Sequence, residues 1–329
     1  DLFEGLSDIC EAADRKIVLM IDEVDSAANN QVFIDFLAQL RAQYLDREFY
    51  PGFQSVILAG VYDIKNLKRK LRPEEGHRYN SPWNIAADFS IEMSFSESEI
   101  AGMLQEYESD HRTGMNISKM SELLYAYTAG YPFLVSRICQ LMDERVRDEY
   151  ENLKLVWTEN GFNEAVRILL AEKNPLFESL VGKICDYPEL SVMLKTLLFT
   201  GRNIAYNPDE TSIDMAQMFG FIKNQNGNVV IANRIFETRL YNYYLTEAKM
   251  QQTEIYKAAL QDKSQFIVNG YLDMERILER FVVHFQDIYG ESDEKFLEEQ
   301  GRKFFLLYLK PIINGTGNYY IESRTRDLR

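Results

Sequence analysis

The stretch Lys16–Asp25 reads KIVLMIDEVD. Ile17–Ile21 is an uninterrupted apolar run, and it ends directly on two carboxylates, Asp22 and Glu23. A short continuous run of this kind predicts a strand buried on both faces, and hence a parallel sheet covered by helices. Upstream, Leu2, Leu6, Ile9 and Ala13 recur at helical spacing. Downstream, FIDFLAQLRAQYL (Phe33–Leu45) predicts a helix and SVILAG (Ser55–Gly60) a second buried strand. Alternation of helix and strand in this order is α/β winding.

Further along, the pattern turns helical. FSIEMSF (Phe89–Phe95) predicts a third short strand, after which Ser96 and Glu99 form a capping box at the head of an amphipathic helix. A second helix is expected in AGYPFLVSRICQLMDERV, opened by Gly130 and Pro132. Phe221–Lys223, the pair Asn226-Gly227 and Val229–Ala232 predict a hairpin, because Asn-Gly favours positive φ at a tight turn. Helices, this hairpin and a closing helix (Arg234–Leu245) predict a winged-helix-like domain. That last helix is aromatic, but Ile235, Leu240, Tyr244 and Leu245 are spaced for a core-facing stripe rather than a stacking surface. Near the end, a helix over Glu294–Leu309 is expected to stop at Lys310-Pro311, with a Gly315/Gly317 turn and a strand from Asn318 to Glu322.

At 329 residues the chain has room for more than one core. Its 46% apolar and 26% charged content is that of a globular protein, and its apolar runs are too short for a membrane helix. With Cys10, Cys139 and Cys185 far apart, the expectation is a reducing, cytoplasmic setting rather than a disulfide framework. The net charge of −15 argues against a surface built to coat nucleic acid. Only the stretch Arg302–Arg329 is locally basic. His77, His111 and His284 have no second ligand at helical spacing, so no metal site is expected of them.

An apolar strand ending in Asp-Glu suits phosphate hydrolysis. The Asp holds Mg²⁺ through hard oxygen donors, and the neighbouring Glu polarises the attacking water. The other reading is an ordinary strand end with solvated acids. Here the sequence resembles the AAA-like and STAND-type P-loop ATPases, with IVLMIDEVD similar to their Walker B segment and SVILAGVYD to their sensor strand. The resemblance implies ATP and Mg²⁺ as cofactors, Asp22 as the metal-binding residue and Glu23 as the catalytic one. It also implies Tyr62 or Asp63 facing the phosphates, and Gly130 and Pro132 near the adenine at the opening of a lid helix. Arg78, in RKLRPEEGHRYNSPW, would reach a nucleotide on a neighbouring subunit of a homo-oligomer.

One motif is missing. The phosphate-cradling G-x-x-x-x-G-K-[ST] does not occur, and the sole Gly-Lys pair, Gly182-Lys183, is followed by Ile184. The chain therefore reads as part of something longer, with the cradle expected upstream and little nucleotide binding expected without it.

The tail EEQGRKFFLLYLKPIINGTGNYYIESRTRDLR resembles the opening of a PD-(D/E)XK nuclease-like domain, short of its metal-binding motif. That resemblance implies Glu298 or Glu299 as the acid on the helix and nucleic acid as a partner of this domain. The plainer reading is a helix, a loop and an edge strand.

The fold class expected is thus a partial α/β P-loop-type core with a parallel sheet (1–95), followed by a helical lid (96–173) and a winged-helix-like domain (174–247). A connector (248–271) then leads to the start of an α/β nuclease-like domain (272–329), the whole being helix-rich. The function expected is an ATP-binding and hydrolysing regulatory module controlling a nuclease-type effector. A non-enzymatic interaction or DNA-binding regulator, using the α/β part as scaffold, is the alternative.

Overall fold

A computed structural model describes residues 2–24, 31–60, 93–149, 153–200, 203–246, 252–262, 266–268, 271–290 and 294–313. The chain divides into two compact units, Asp1–Ile91 and Glu92–Arg329.

In the first unit, α1 (Leu2–Ala12) leads to β1 (Val18–Ile21), then α2 (Gln31–Leu45) and β2 (Ser55–Leu58). The strands pair in parallel, Val18 opposite Ser55 and Ile21 opposite Leu58. Leu37 and Leu40 of α2 are buried, with Phe3, Leu19, Ile21, Phe33, Phe36, Val56 and Leu58 packed around them. Gln43 ties the helices together by donating to Ser7 Oγ at 3.1 Å.

The sequence-based expectation that β1 is buried on both faces is not met. Its residues alternate, with Leu19 and Ile21 half-buried, whereas Val18 is 45% and Met20 73% exposed. Ile57 of β2 is 39% exposed. The reason is that the helical cluster covers one face of the described part of this sheet, so the strand's period of two decides which apolar side chains are enclosed.

Among the described residues, the second unit is helical apart from two small hairpins. Helices α3 (Glu97–His111), α4 (Ile117–Thr128) and α5 (Pro132–Leu141) run into a single π-helical segment, Met142–Val146, whose ends are buried. Two short helical turns precede α6 (Glu159–Ala171), α7 (Pro175–Asp186), α8 (Pro188–Thr200) and α9 (Thr211–Met218). The hairpin of β3 (Ile222–Gln225) and β4 (Asn228–Ile231) follows, then α10 (Arg234–Leu245) and α11 (Glu254–Asp262). A two-residue hairpin, β5 (Ile267–Val268) and β6 (Tyr271–Leu272), precedes α12 (Met274–Tyr289) and α13 (Glu294–Ile313).

Local chemistry explains the starts and stops. The capping box at α3 is present: Ser96 N–H donates to Glu99 Oε2 at 2.7 Å and Glu99 N–H to Ser96 Oγ at 3.3 Å. The Ser96 N–H, with the Ser96 hydroxyl that also donates to Glu99 Oε2, favours the ionised Glu99 and lowers its pKa. Asn116, Thr158, Asn174, Asn233 and Asp273 cap later helices in the same manner. The hairpin turn is the one Asn-Gly predicts, with Asn226 at φ 53 and Gly227 at φ 80.

Two expectations change. Met93–Phe95, the described end of the expected third strand, is irregular, and residues 89–92 lie outside the described residues. Helix α13 does not stop at Pro311 but continues to Ile313. Pro311 removes one hydrogen bond in the last turn, while Ile312 and Ile313 are 0% and 5% exposed, and their burial carries the helix through. The expected strand Asn318–Glu322 lies outside the described residues.

A single apolar cluster runs from Ile100 on α3 to Ile313 on α13. It includes Ile235, Leu240, Tyr244 and Leu245, so α10 presents the core-facing stripe read from its spacing. It also takes in Ile255 and Ala259 of α11. Arg137 spans α5 to the end of α6 by two donations to the Glu172 carboxylate, at 2.6 and 3.2 Å.

Candidate functional site

The end of β1 is not a plain strand end. Ala59 N–H donates to Ile21 O at 2.9 Å, and the next bond of the ladder is Val24 N–H to Ala59 O at 3.0 Å. A regular parallel ladder would use the residue two beyond Ile21 for that second bond; here it is three beyond. One extra residue is therefore inserted between the two bonds to Ala59, which is a β-bulge. The inserted pair is Asp22-Glu23.

Backbone and side chain cooperate to hold the bulge. Glu23 adopts φ 53, in the left-handed region that a side chain with a Cβ resists. Its N–H, turned out of the ladder, donates to Asp22 Oδ1 at 2.8 Å. Val24 then re-enters the sheet and is 3% exposed. The result is two exposed carboxylates presented side by side at the carboxyl end of a parallel strand, where α/β sheets bind ligands.

Chemically, the pair fits a hard cation shared with a ligand rather than a cation enclosed by protein. Two carboxylates offer oxygen donors, and Mg²⁺ keeps most of its shell for water and phosphate oxygens. Among the described residues no group of three or more His, Cys, Asp or Glu side chains could hold a metal ion.

The other residues singled out in the sequence fall elsewhere. Tyr62, Asp63 and Arg78 lie outside the described residues. Gly130 and Pro132 belong to the second unit, where Pro132 is the first residue of α5 and Tyr131 its N-cap. Gly130 has φ +75, and a Cβ there would stand 1.8 Å from the carbonyl oxygen of Phe95. Phe95 N–H in turn donates to Gly130 O at 2.8 Å. Close backbone approach thus accounts for this glycine within its own unit. Glu298 and Glu299 lie on α13. His111 stacks on Tyr107 at 4.0 Å and His284 packs 5.7 Å from Tyr308. No helix among the described residues is long and apolar enough to cross a membrane.

The bulge itself escaped the sequence reading. Its one signal is the acidic pair, since Asp is a residue whose side chain satisfies a nearby backbone N–H and so tolerates irregular backbone.

No protein-family model matches the sequence, and no curated protein does. Among solved structures the chain is similar to a Walker-type ATPase of Pyrococcus abyssi, with a TM-score of 0.48 and 13% identity. The similarity covers 72% of this chain and 66% of that one, so the chain spans about two thirds of that protein's length.

Proposed function

We propose that Asp22 and Glu23 form the metal and water end of an ATP-hydrolysing site of the P-loop type. The observation that carries this reading is the bulge: a parallel strand breaks its ladder at two adjacent carboxylates and presents both. In this role Asp22, whose Oδ1 also accepts the Glu23 N–H, would hold Mg²⁺ directly or through water. When bound, the ion neutralises charge on the phosphates. Glu23 orients the attacking water and takes up its proton.

The sequence holds no phosphate-cradling loop, so the reading requires that loop to come from polypeptide outside these 329 residues. Tyr62 or Asp63 facing the phosphates, Gly130 and Pro132 near the adenine, and Arg78 acting across a homo-oligomer belong to the same proposal. So does control of a nuclease-type effector acting on nucleic acid, with Glu298 or Glu299 as its helix acid. The continuous core from Ile100 to Ile313 supports the regulatory part, because movement of α3–α6 cannot leave the β3–β4 hairpin and α13 unaffected.

Calorimetric titration with Mg-ATP tests the reading, comparing this chain with the full polypeptide. Binding is expected where the phosphate loop is present. Glu23→Gln is then expected to bind ATP but to lower turnover by roughly 10²–10⁴-fold, the usual loss on removing a positioned general base. Undiminished hydrolysis by Glu23→Gln sinks the assignment. Absence of binding in both proteins favours the scaffold reading, in which the α/β unit only carries an interaction module.

A further inference from the structure

A cavity of about 670 Å³ opens within the second unit, walled by the β3–β4 hairpin, the ends of α4 and α8, the first turn of α10 and the middle of α13. This is the size of a small-molecule site. Its lining is polar and unusually cationic for a chain of net charge −15: Lys223 from β3, Arg234 from α10 and Arg302 from α13, against one carboxylate, Glu237. Three separate elements each contribute a cation.

The side chains are arranged as a built site. Arg302 donates from Nη2 to Tyr241 Oη at 2.9 Å, and Tyr241 is itself anchored by donating to Leu198 O at 2.7 Å. The guanidinium is thus held in place, yet its Nε is buried without a hydrogen-bond partner. That Nε is sealed from the cavity, so what Arg302 offers a ligand there is the charge of its guanidinium rather than this N–H. Arg302 and Arg234 act on the Glu237 carboxylate through charge alone. Burial outweighs that attraction and raises its pKa to about 7, so near neutrality the carboxylate is partly protonated and the cations are under-neutralised. Gln225, Asn226 and Asn228 from the hairpin complete the lining.

We propose that this cavity binds a small organic phosphate, with Arg302, Arg234 and Lys223 as its cationic donors. A dianionic phosphate matches three cations lining one cavity better than a single carboxylate does, and guanidinium N–H groups donate well to its oxygens. Concavity favours a small molecule over the backbone of a duplex, which would meet these cations on an outward surface. The site is independent of Asp22 and Glu23, and neither reading depends on the other.

The test is calorimetric titration of the intact chain with ribose 5-phosphate and inorganic phosphate, with ribose as the uncharged control. Binding of both phosphates and not of ribose is expected. Arg302→Gln and Lys223→Gln are each expected to weaken binding by about tenfold or more, the scale of one charge-assisted hydrogen bond. Glu237→Gln, which removes the competing negative charge, is expected to tighten it. Lys223 is exposed on the hairpin, so its variant tests the site even if Arg302→Gln fails to fold. No binding by the intact chain, or binding unchanged in Lys223→Gln, overturns the proposal. Binding of a short DNA duplex without ribose 5-phosphate also overturns it, assigning the cations to a nucleic-acid surface.

Discussion

At Glu23 backbone strain and the proposed chemistry coincide. A glutamate at φ 53 is held there by the bulge and by the Asp22 carboxylate that accepts its N–H. Glycine takes this conformation without the steric penalty, so Glu23→Gly is expected to stabilise the β1–β2 pair by roughly 0.5–1 kcal/mol. Slower hydrogen exchange at the Val24 and Ala59 amides would report it; faster exchange would show that the Glu23 side chain holds the bulge together. Glu237 makes a second prediction at this scale. Its folded pKa of about 7 lies above the ordinary 4.5. The folded protein therefore holds a proton that the unfolded chain has released, and this contribution to stability is lost as pH rises from the ordinary value through about 7. The loss is on the order of 3 kcal/mol. Melting of Glu237→Gln across this range is expected to lack that fall, with Arg234 and Arg302 no longer facing a titrating partner.

Among the elements, the junction of Phe95 with the α4–α5 turn is a close one. Gly130 combines positive φ with a carbonyl where a Cβ would stand, and both penalties fall on backbone rather than on a movable side chain. Gly130→Ala is expected to cost roughly 2–4 kcal/mol in the chain without nucleotide, read as a lowered Tm. An unchanged Tm would leave a ligand contact as the reason for the glycine. The pairing of Gly130 with Pro132 looks in sequence like a binding motif, but each has a local structural cause: approach of Phe95 for one, the first position of α5 for the other. Helix α13 shows the converse case. Its proline reads as a terminator, and burial of Ile312 and Ile313 outweighs the lost hydrogen bond.

For the whole molecule, the two units differ in how much core they own. Among the described residues, the second encloses a cluster from Ile100 to Ile313, whereas the first encloses Leu37 and Leu40, with Val24 buried beside the sheet. The described part of that core cannot by itself offset the conformational entropy of ordering the chain. Residues 92–329 expressed alone are therefore expected to melt cooperatively, and residues 1–91 alone to show no cooperative transition by circular dichroism. A cooperative transition in the shorter piece would mean that residues beyond the described ones complete its core.

Local signals in the chain were enough for much of this. Ile17–Ile21 and Ser55–Gly60 read as strands, Ser96 with Glu99 as a helix start, Asn226-Gly227 as a hairpin turn and the α10 stripe as core, because each depends on neighbours a few residues away. The acidic pair at the end of β1 was equally legible as a candidate. What could not be read is whatever depends on distant residues. The one-sided cover of the sheet depends on where α1 and α2 pack, and the bulge on which Ala59 atoms the strand meets. The cationic cavity brings Arg302 of α13 to Lys223, Arg234 and Glu237 of the distant β3–α10 segment, with no spacing to announce it. Periodicity and turn chemistry act over one or two turns of backbone, while burial and charge act through space, so only the folded chain brings those groups together.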